Sequence, residues 1–202
     1  ETTLAAAQRL AGQGLHPVAL NFASATHPGG GFLAGARAQE EFLARSSGLY
    51  ACIRDNSMYG FHQRRHDPLY SDYVIYSPQV PVFRDTNGQK LLDKPYTIGI
   101  ITCPAANANA LPPAGRSEIP QAMWRRILKV LAVGVTHQHD AIVLGAWGCG
   151  AFGNDGQTIA TLFQKALQTN FAGAYRQVVF AIVDESAERK FIGPFEQVFQ
   201  KK

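Results

Sequence analysis

A triple glycine, formed by Gly29, Gly30 and Gly31, follows a short apolar segment and precedes two adjacent acids, Glu40 and Glu41. Three glycines in succession carry no β-carbon, so their N–H groups can approach an anion closely and their backbone can adopt positive φ. This freedom costs conformational entropy on folding, which favours a functional explanation. The alternative is a mobile surface turn without a function. We interpret the segment as an anion-binding loop beside a carboxylate, an arrangement suited to chemistry on a phosphorylated sugar.

A second glycine-rich segment, residues 148–154, directly follows a continuous apolar run, residues 141–147. Such a run is typical of a central strand with both faces covered. Loops that join strands to helices gather at the carboxyl edge of an open α/β sheet and form its ligand crevice. The helix after Asn154 would add free N–H groups and the positive end of its dipole. A tight strand-to-helix corner without any ligand explains the segment nearly as well as a ligand-binding loop does.

The second loop also has the G-x-G-x-x-G spacing of a dinucleotide-binding motif. That motif normally follows the first strand of its fold, and an acid comes about 20 residues later. Here the acid that ends the next strand is Asp184, and little chain remains for further strand–helix units. The match is therefore weak support for a nicotinamide-dependent oxidoreductase.

Apolar periodicity predicts helices and strands that alternate along the chain. Helices are predicted over about 2–13, from about 36 to before Gly48, from Ser117 as N-cap with Pro120 in the first turn, and from 155 to about 170. Strands are predicted over 18–23, 72–83, 96–103, 141–147 and 178–183. Pro78 and Pro81 make the second strand an edge or bulged strand. The alternation predicts one three-layer α/β domain spanning residues 1–202.

Composition excludes several classes of protein. The 202 residues, 46% of them apolar, suit one globular core. No apolar run approaches about 18 residues and no basic-then-apolar leader opens the chain, so neither a membrane span nor a signal peptide is expected. Cys52, Cys103 and Cys149 match neither a disulfide framework nor paired zinc ligands, which favours a reducing cytoplasm.

The formal net charge of +4 is mild, and it would at most help to steer a polyanion. The basic pairs at 64–65 and 125–126 are not interleaved with aromatic residues, so no sequence-specific nucleic-acid binding is expected. Solvated helix and loop faces are the plainer interpretation of both pairs. The histidine cluster at 62–67 has no companion ligands elsewhere, and we expect no metal.

The adjacent acids cannot flank a glycosidic bond as a pair if they lie on a helix, because consecutive residues diverge by about 100°. Only Glu40 or Glu41 would then reach the bond that breaks, and the other would orient the substrate. Two solvated acids at a helix start are the alternative. Phe152, an aromatic ring between glycines, is either a plug that anchors its loop or a platform for a sugar. Trp147, Cys103 and Cys149 are better explained by packing.

At these residues the chain resembles the bacterial-type poly(ADP-ribose) glycohydrolases, whose signature is a triple glycine followed after several residues by Gln-Glu-Glu. Here seven residues separate Gly31 from Gln39-Glu40-Glu41. The segments 21–25, 70–72, 76–78, 82–85 and 148–154 also look like that family, so the resemblance covers nearly the whole chain. Bacterial-type members commonly carry an N-terminal extension that these 202 residues do not contain, and vertebrate-type enzymes have Asn where Ser24 stands.

The resemblance implies a three-layer α/β/α macrodomain with a mixed central sheet, with poly(ADP-ribose) and ADP-ribose as ligands and no cofactor. It implies hydrolysis of ribose–ribose O-glycosidic bonds, mainly from the free end, with poly-ADP-ribosylated proteins as partners and recovery from DNA damage as the setting. A macrodomain that binds ADP-ribose without cleaving it and a mono-ADP-ribosylhydrolase remain the alternatives.

Carried over residue by residue, the resemblance makes Glu41 the catalytic acid and Glu40 its ribose-orienting partner, with Gln39 supporting the loop. Phe152 would pack against the distal ribose and push its anomeric carbon toward Glu41. The substrate-binding residues implied are Ser24, Gly29, Gly30, Gly31, Gln39, Gly148, Cys149, Gly150, Ala151, Phe152, Gly153 and Asn154. Glu1 and Thr2 would lie where macrodomains hold the adenine edge.

Overall fold

The computed structural model describes residues 1–200, which form seven α-helices and five β-strands. The helices are α1 (Thr3–Gly12), α2 (Gln39–Ser46), α3 (Leu49–Ile53), α4 (Ser57–Arg65), α5 (Ile119–Thr136), α6 (Gly156–Gln168) and α7 (Gly193–Phe199). The strands are β1 (Pro17–Phe22), β2 (Ile75–Arg84), β3 (Leu91–Cys103), β4 (Ala141–Leu144) and β5 (Gln177–Phe180). Short 3₁₀ turns lie at Phe32–Ala34 and Pro113–Glu118.

The strands form one mixed sheet in the order β2-β3-β1-β4-β5. Strand β1 runs parallel to β3 and β4, β5 runs parallel to β4, and β2 is the antiparallel edge strand. The register of β2 shifts between Ser77 and Val80, around Pro78, and again between Val82 and Arg84. The predicted mixed sheet with a bulged, proline-bearing edge strand is therefore confirmed.

Two hydrophobic cores lie on opposite faces of the sheet because side chains alternate along each strand. Val18 and Leu20 of β1 belong to one core, whereas Ala19 between them belongs to the other. The first core packs against α5, α6 and α7, and the second packs against α1 to α4. The resulting three layers confirm the predicted α/β architecture.

Helix α1 forms as its sequence pattern predicts. The Thr2 side chain accepts a hydrogen bond from the Ala5 N–H at 3.2 Å and so caps the helix. Leu4 and Leu10 are fully buried on one face. The chain leaves the helix through Gly14, whose φ of 77° favours glycine. This packing holds the first turn of α1 beside the end of β1.

The start of α5 differs from the prediction. Ser117 does not cap the helix, because its hydroxyl donates to the Ala114 carbonyl within a 3₁₀ turn at 3.0 Å. The helix instead begins at Ile119, follows Glu118 without a side-chain cap, and has Pro120 in its first turn as predicted. A 3₁₀ turn that continues directly into an α-helix satisfies the first N–H groups without a cap.

Three short helices, α3, α4 and α7, have no clear apolar period in the sequence. Helix α4 is fixed at its ends instead: Asn56 accepts from the Met58 N–H at 3.0 Å, and His66 closes the helix with a left-handed φ of 51°. Within residues 1–200 we find no helix of the length and apolarity that a bilayer crossing requires.

The core beside α6 offers a test of the layered packing. Phe163 is fully buried, with its ring 5.5 Å from that of Phe180 and 6.3 Å from that of Trp147. Phe163→Ala should lower the free energy of unfolding by about 3–5 kcal/mol, since it leaves a cavity that the neighbours cannot fill. Leu91→Ala, at a side chain 69% exposed, should change it by less than about 0.5 kcal/mol. Urea denaturation measures both, and equal effects would contradict the packing described.

Candidate active site

A cleft of about 880 Å³ opens at the carboxyl ends of β1 and β4. Its walls come from the first residues of α1, the end of β1, the start of α2, the loop after β4 and the segment after β5. Pockets that hold small molecules measure roughly 300–1,000 Å³. The fold therefore places a ligand-sized cleft at the sheet edge where α/β proteins bind their ligands.

Glu40 lies in the first turn of α2 and is only 3% exposed. Its Oε1 accepts from Asn21 Nδ2 at 3.2 Å, and its Oε2 accepts from the Ser24 N–H at 2.6 Å. Burial raises the pKa of Glu40 to about 7, although these two hydrogen bonds act in the opposite direction. The neighbouring charge of Glu41 adds to the increase.

Glu41 faces the same cleft but is held differently. Its Oε1 accepts from the Gly31 N–H at 2.9 Å. Its Oε2 is buried and has no hydrogen-bond partner within residues 1–200. Both oxygens of Glu40 are bound by N–H donors, whereas Glu41 keeps one oxygen uncommitted. The pair thus has one carboxyl group that accepts hydrogen bonds at both oxygens and one that has an oxygen without a partner within residues 1–200.

The triple glycine is wrapped around these carboxyl groups. The Gly30 N–H donates to the His27 carbonyl at 2.9 Å, and the Gly31 N–H donates to Glu41. Gly30 has a φ of 60°, and a Cβ there would lie 2.2 Å from Glu41 Oε1. Sequence reasoning predicted that these N–H groups cradle a diphosphate. In the structure two of the three are bound within the protein, and the loop positions Glu41.

Gln39 and Ser24 form hydrogen bonds beside the acid pair. Gln39 Oε1 accepts from the Phe22 N–H at 2.9 Å, and its Nε2 donates to the Leu20 carbonyl at 2.8 Å and to Thr3 Oγ1 at 3.1 Å. Gln39 was predicted to support the glycine loop; in the structure its side chain instead holds the end of β1 and the first turn of α1. Ser24 donates its backbone N–H to Glu40, while its Oγ accepts from the next turn of the chain.

The second glycine loop lines the cleft and has several backbone N–H groups without protein acceptors. Four of its residues line the cleft, and within residues 1–200 none of their backbone N–H groups donates to a protein acceptor: Gly148, Gly150, Ala151 and Phe152. The other three use their N–H groups inside the turn, with Ala146, Gly150 and Gly148 as acceptors: Cys149, Gly153 and Asn154. The loop is thus a cradle of four amides that its remaining residues hold in shape.

Close packing fixes the shape of that loop. Gly148 has a φ of 77°, and a Cβ there would lie 2.4 Å from Asn154 Nδ2. Asn154 Nδ2 donates to the Ala106 carbonyl at 2.8 Å and ties the loop to its neighbour. Burial raises the pKa of the Cys149 thiol to about 12, which disfavours the nucleophilic thiolate and fits a packing role.

The helix after Asn154 does not present a free N-terminus, contrary to the prediction. Asp155 caps α6 with its own carboxylate, which accepts from the Thr158 N–H at 2.7 Å and from the Thr158 hydroxyl at 2.6 Å. These hydrogen bonds hold the pKa of Asp155 below its ordinary value. A carboxylate at this position already satisfies the helix dipole.

Phe152 is half-buried, lines the cleft and lies with its ring 6.0 Å from that of Tyr70. At the other end of the cleft, Thr2 lines the wall, and its hydroxyl donates to the Thr86 carbonyl at 2.8 Å. The Glu1 carboxylate is turned to Arg9, with which it forms an ion pair at 2.6 Å. The structure thus brings Thr2 to the cleft and leaves Glu1 engaged elsewhere.

Asn21 is a site residue that sequence reasoning did not assign. Its side chain is fully buried, Nδ2 donates to Glu40 and to Thr102 Oγ1, and Oδ1 has no partner within residues 1–200. An amide serves either protonation state of Glu40, because it donates to a carboxylate and, when flipped, accepts from a carboxylic acid. The available signal was an asparagine inside an apolar strand, where a polar side chain needs a partner.

Asp184, the acid considered for a dinucleotide ribose, is committed to its own loop. It accepts from the Ser186 hydroxyl at 2.5 Å and from the N–H groups of Phe191 and Ile192. These contacts, with the Ser186 side chain first, hold the pKa of Asp184 well below its usual range. Among residues 1–200, no three His, Cys, Asp or Glu side chains come together as a metal site.

The mixed sheet covered on both faces, with ligand loops and a buried acid pair at its carboxyl edge, defines a macrodomain-like α/β protein. A family model described as microbial-type PARG, catalytic domain, matches residues 1–85. No curated protein matches the chain.

Solved structures extend the match to the whole chain. Poly(ADP-ribose) glycohydrolase (PARG) from Thermomonospora curvata is 51% identical, with a TM-score of 0.95 over 98% of this chain and 74% of that one. PARG from Deinococcus radiodurans in complex with ADP-ribose is 43% identical, with a TM-score of 0.93 over 99% of this chain and 82% of that one. This chain therefore belongs to the microbial-type poly(ADP-ribose) glycohydrolase family.

The raised pKa of Glu40 gives a pH dependence of stability. Because the folded-state pKa lies near 7 and the ordinary value is 4.5, the folded state binds more protons between these values. The stability linked to the neutral form of Glu40 is fully present below pH 4.5 and is lost as pH rises to 7. The free energy of unfolding should fall by roughly 3 kcal/mol over this range. Glu40→Gln should remove this loss, so that its free energy of unfolding falls less between pH 4.5 and 8 than that of the wild type.

Urea denaturation across this pH range measures the slope. Glu118→Gln, at an exposed side chain, is the matched control and should leave the slope as in the wild type. Parallel curves for the wild type and Glu40→Gln would show that Glu40 titrates near its ordinary value.

Proposed function

We propose that this protein hydrolyses the ribose–ribose O-glycosidic bonds of poly(ADP-ribose), mainly from the free end, and releases ADP-ribose. The observation that supports this most is the Glu41 carboxyl group, which lies at the cleft with Oε1 fixed by Gly31 and Oε2 without a partner. Membership of the family adds weight, since two of its solved members were crystallised with ADP-ribose or with the inhibitor ADP-HPD.

The cleft suits the parts of ADP-ribose. The diphosphate would accept from the free amides of the second glycine loop, and each such charge-assisted bond contributes roughly 1.5–3 kcal/mol. The distal ribose would pack against Phe152 and so lie between that ring and Glu41. The adenine would lie against the apolar wall at Ile182, Val183 and Phe191, with Thr2 at its edge.

In the reaction, Glu41 would donate its proton from Oε2 to the departing ribose oxygen while the bond from that oxygen to the anomeric carbon breaks. The carbon gains oxocarbenium character, and the bound diphosphate helps to stabilise the positive charge. Glu41, now a carboxylate, would accept a proton from the incoming water while the water oxygen bonds to the anomeric carbon. Glu40, held by Asn21 and Ser24, would orient the ribose and keep α2 in place.

Several finer features belong to the same proposal. The chemistry requires neither a metal nor a redox cofactor, because a proton is the only group that the enzyme must supply. Poly-ADP-ribosylated proteins would be the partners, without sequence-specific binding of nucleic acid. The setting would be the cytoplasm during recovery from DNA damage, and residues 1–202 would act as a single catalytic domain.

A second candidate is a macrodomain that binds ADP-ribose and cleaves nothing. It needs the amide cradle but not a buried carboxyl oxygen left free at the cleft, so the geometry of Glu41 favours the hydrolase. A mono-ADP-ribosylhydrolase would use the same acid on a protein-linked sugar. Incubation with the polymer and with a protein that carries one ADP-ribose unit separates the three, by chromatography of released ADP-ribose.

Glu41→Gln tests the role of the acid. It should retain ADP-ribose affinity, because the amide preserves the shape, and lose at least roughly 10²-fold in turnover of poly(ADP-ribose), the usual effect of removing a positioned acid–base. Calorimetry gives the affinity and chromatography of released ADP-ribose gives the turnover. Glu118→Gln is the control and should behave as the wild type. Unimpaired turnover in Glu41→Gln would remove Glu41 from this role.

Gly30→Ala tests whether the triple glycine positions the acid. The new Cβ would lie 2.2 Å from Glu41 Oε1, so the carboxyl group must move, and turnover should fall nearly as far as in Glu41→Gln. Gly14→Ala is the matched control: its φ is also positive, at 77°, but nothing lies within 4 Å of the new Cβ. Both variants should lose roughly 1 kcal/mol of stability from backbone strain. Equal turnover in the two variants would contradict the positioning role.

A further inference from the structure

A second cavity, of about 430 Å³, lies beside the catalytic cleft and is not used in the mechanism above. Its lining includes His27, Gln63, His66, Asp67 and Tyr70. We infer, on the basis of the proposed function, that this cavity binds the adenosine diphosphate portion of the ADP-ribose unit on the leaving side of the scissile bond.

No residue lines both cavities, but their linings come close to each other at two places. On one side, the His27 carbonyl accepts from the Gly30 N–H at 2.9 Å, and Gly30 packs directly against Glu41 Oε1. On the other side, the Tyr70 ring lies 6.0 Å from the ring of Phe152, which lines the catalytic cleft. A polymer whose bond is broken between Glu41 and Phe152 therefore meets the second cavity with its departing part.

The lining has the chemistry that a nucleotide requires. The imidazoles of His27 and His66 are exposed and carry ring N–H donors, and the half-buried Tyr70 ring offers a face on which a base can stack. The one carboxylate in the lining, Asp67, is paired with Arg65 at 3.0 Å, so it opposes a phosphate less than a free acid would.

Hydrogen bonds within the protein hold the backbone on both sides of Tyr70. The Tyr70 N–H donates to the Asp67 carbonyl at 2.9 Å and holds a left-handed φ of 57°. The fully buried Arg126 donates to the Leu69 carbonyl and to Asp72 Oδ1 on either side of this residue. A preformed wall lowers the entropy lost on binding.

Affinity for two ligands tests the inference in the inactive Glu41→Gln protein. A two-unit ADP-ribose oligomer should bind at least fivefold more tightly than ADP-ribose, because only the oligomer reaches the second cavity. Adding His66→Asn or Tyr70→Asn should remove this advantage and leave ADP-ribose affinity unchanged. Asparagine tolerates the left-handed backbone that both positions adopt, with φ of 51° and 57°.

Gln138→Asn is the matched control, because Gln138 is exposed and has a φ of 59°. It precedes the amino end of β4, whereas the cleft opens at the carboxyl end of that strand. It should keep the full advantage of the oligomer. Equal affinity of Glu41→Gln for the two ligands, or an advantage that survives both substitutions, would overturn the inference. Failure to bind ADP-ribose at all would instead overturn the proposed function, so the two failures are distinguishable.

Discussion

The site depends on keeping two adjacent carboxyl groups out of water at the start of one helix. Burial of like charges is unfavourable unless donors compensate for the lost solvent. Here the donors come from Asn21 in the middle sheet strand, from the Ser24 backbone just after it, and from Gly31. Because every one of these donors belongs to β1 or to the loop that follows it, the placement of both acids at the start of α2 is set by a single stretch of chain.

The two glycine loops have different tasks although both look alike in the sequence. The first turns its N–H groups inward to the protein and leaves no space for a β-carbon beside Glu41. The second leaves the amides of four cleft-lining residues without protein acceptors and uses the others to hold its own shape. One loop therefore positions Glu41, whereas under the proposed function the other would supply donors to the substrate, and both tasks would rely on backbone atoms.

The strands and the two loops could be predicted because they rest on local patterns: apolar runs, glycine clusters and prolines. The mixed character of the sheet came from the family resemblance. The start of α5 and the helices α3, α4 and α7 could not, because a 3₁₀ turn or tertiary contacts replace the usual caps and periodicity. In the site, Glu40 and Glu41 stand out in the sequence. The partner Asn21 and the inward use of the triple glycine depend on contacts between segments 10 to 19 residues apart, which no local pattern reveals.

The outer strand β2 has a consequence for behaviour at high concentration. Pro78 and Pro81 carry no amide hydrogen, and the register shifts beside them bend the strand away from a regular ladder. A strand from another molecule would find few backbone N–H groups in register along β2. This edge of the sheet should therefore resist intermolecular strand pairing and aggregation.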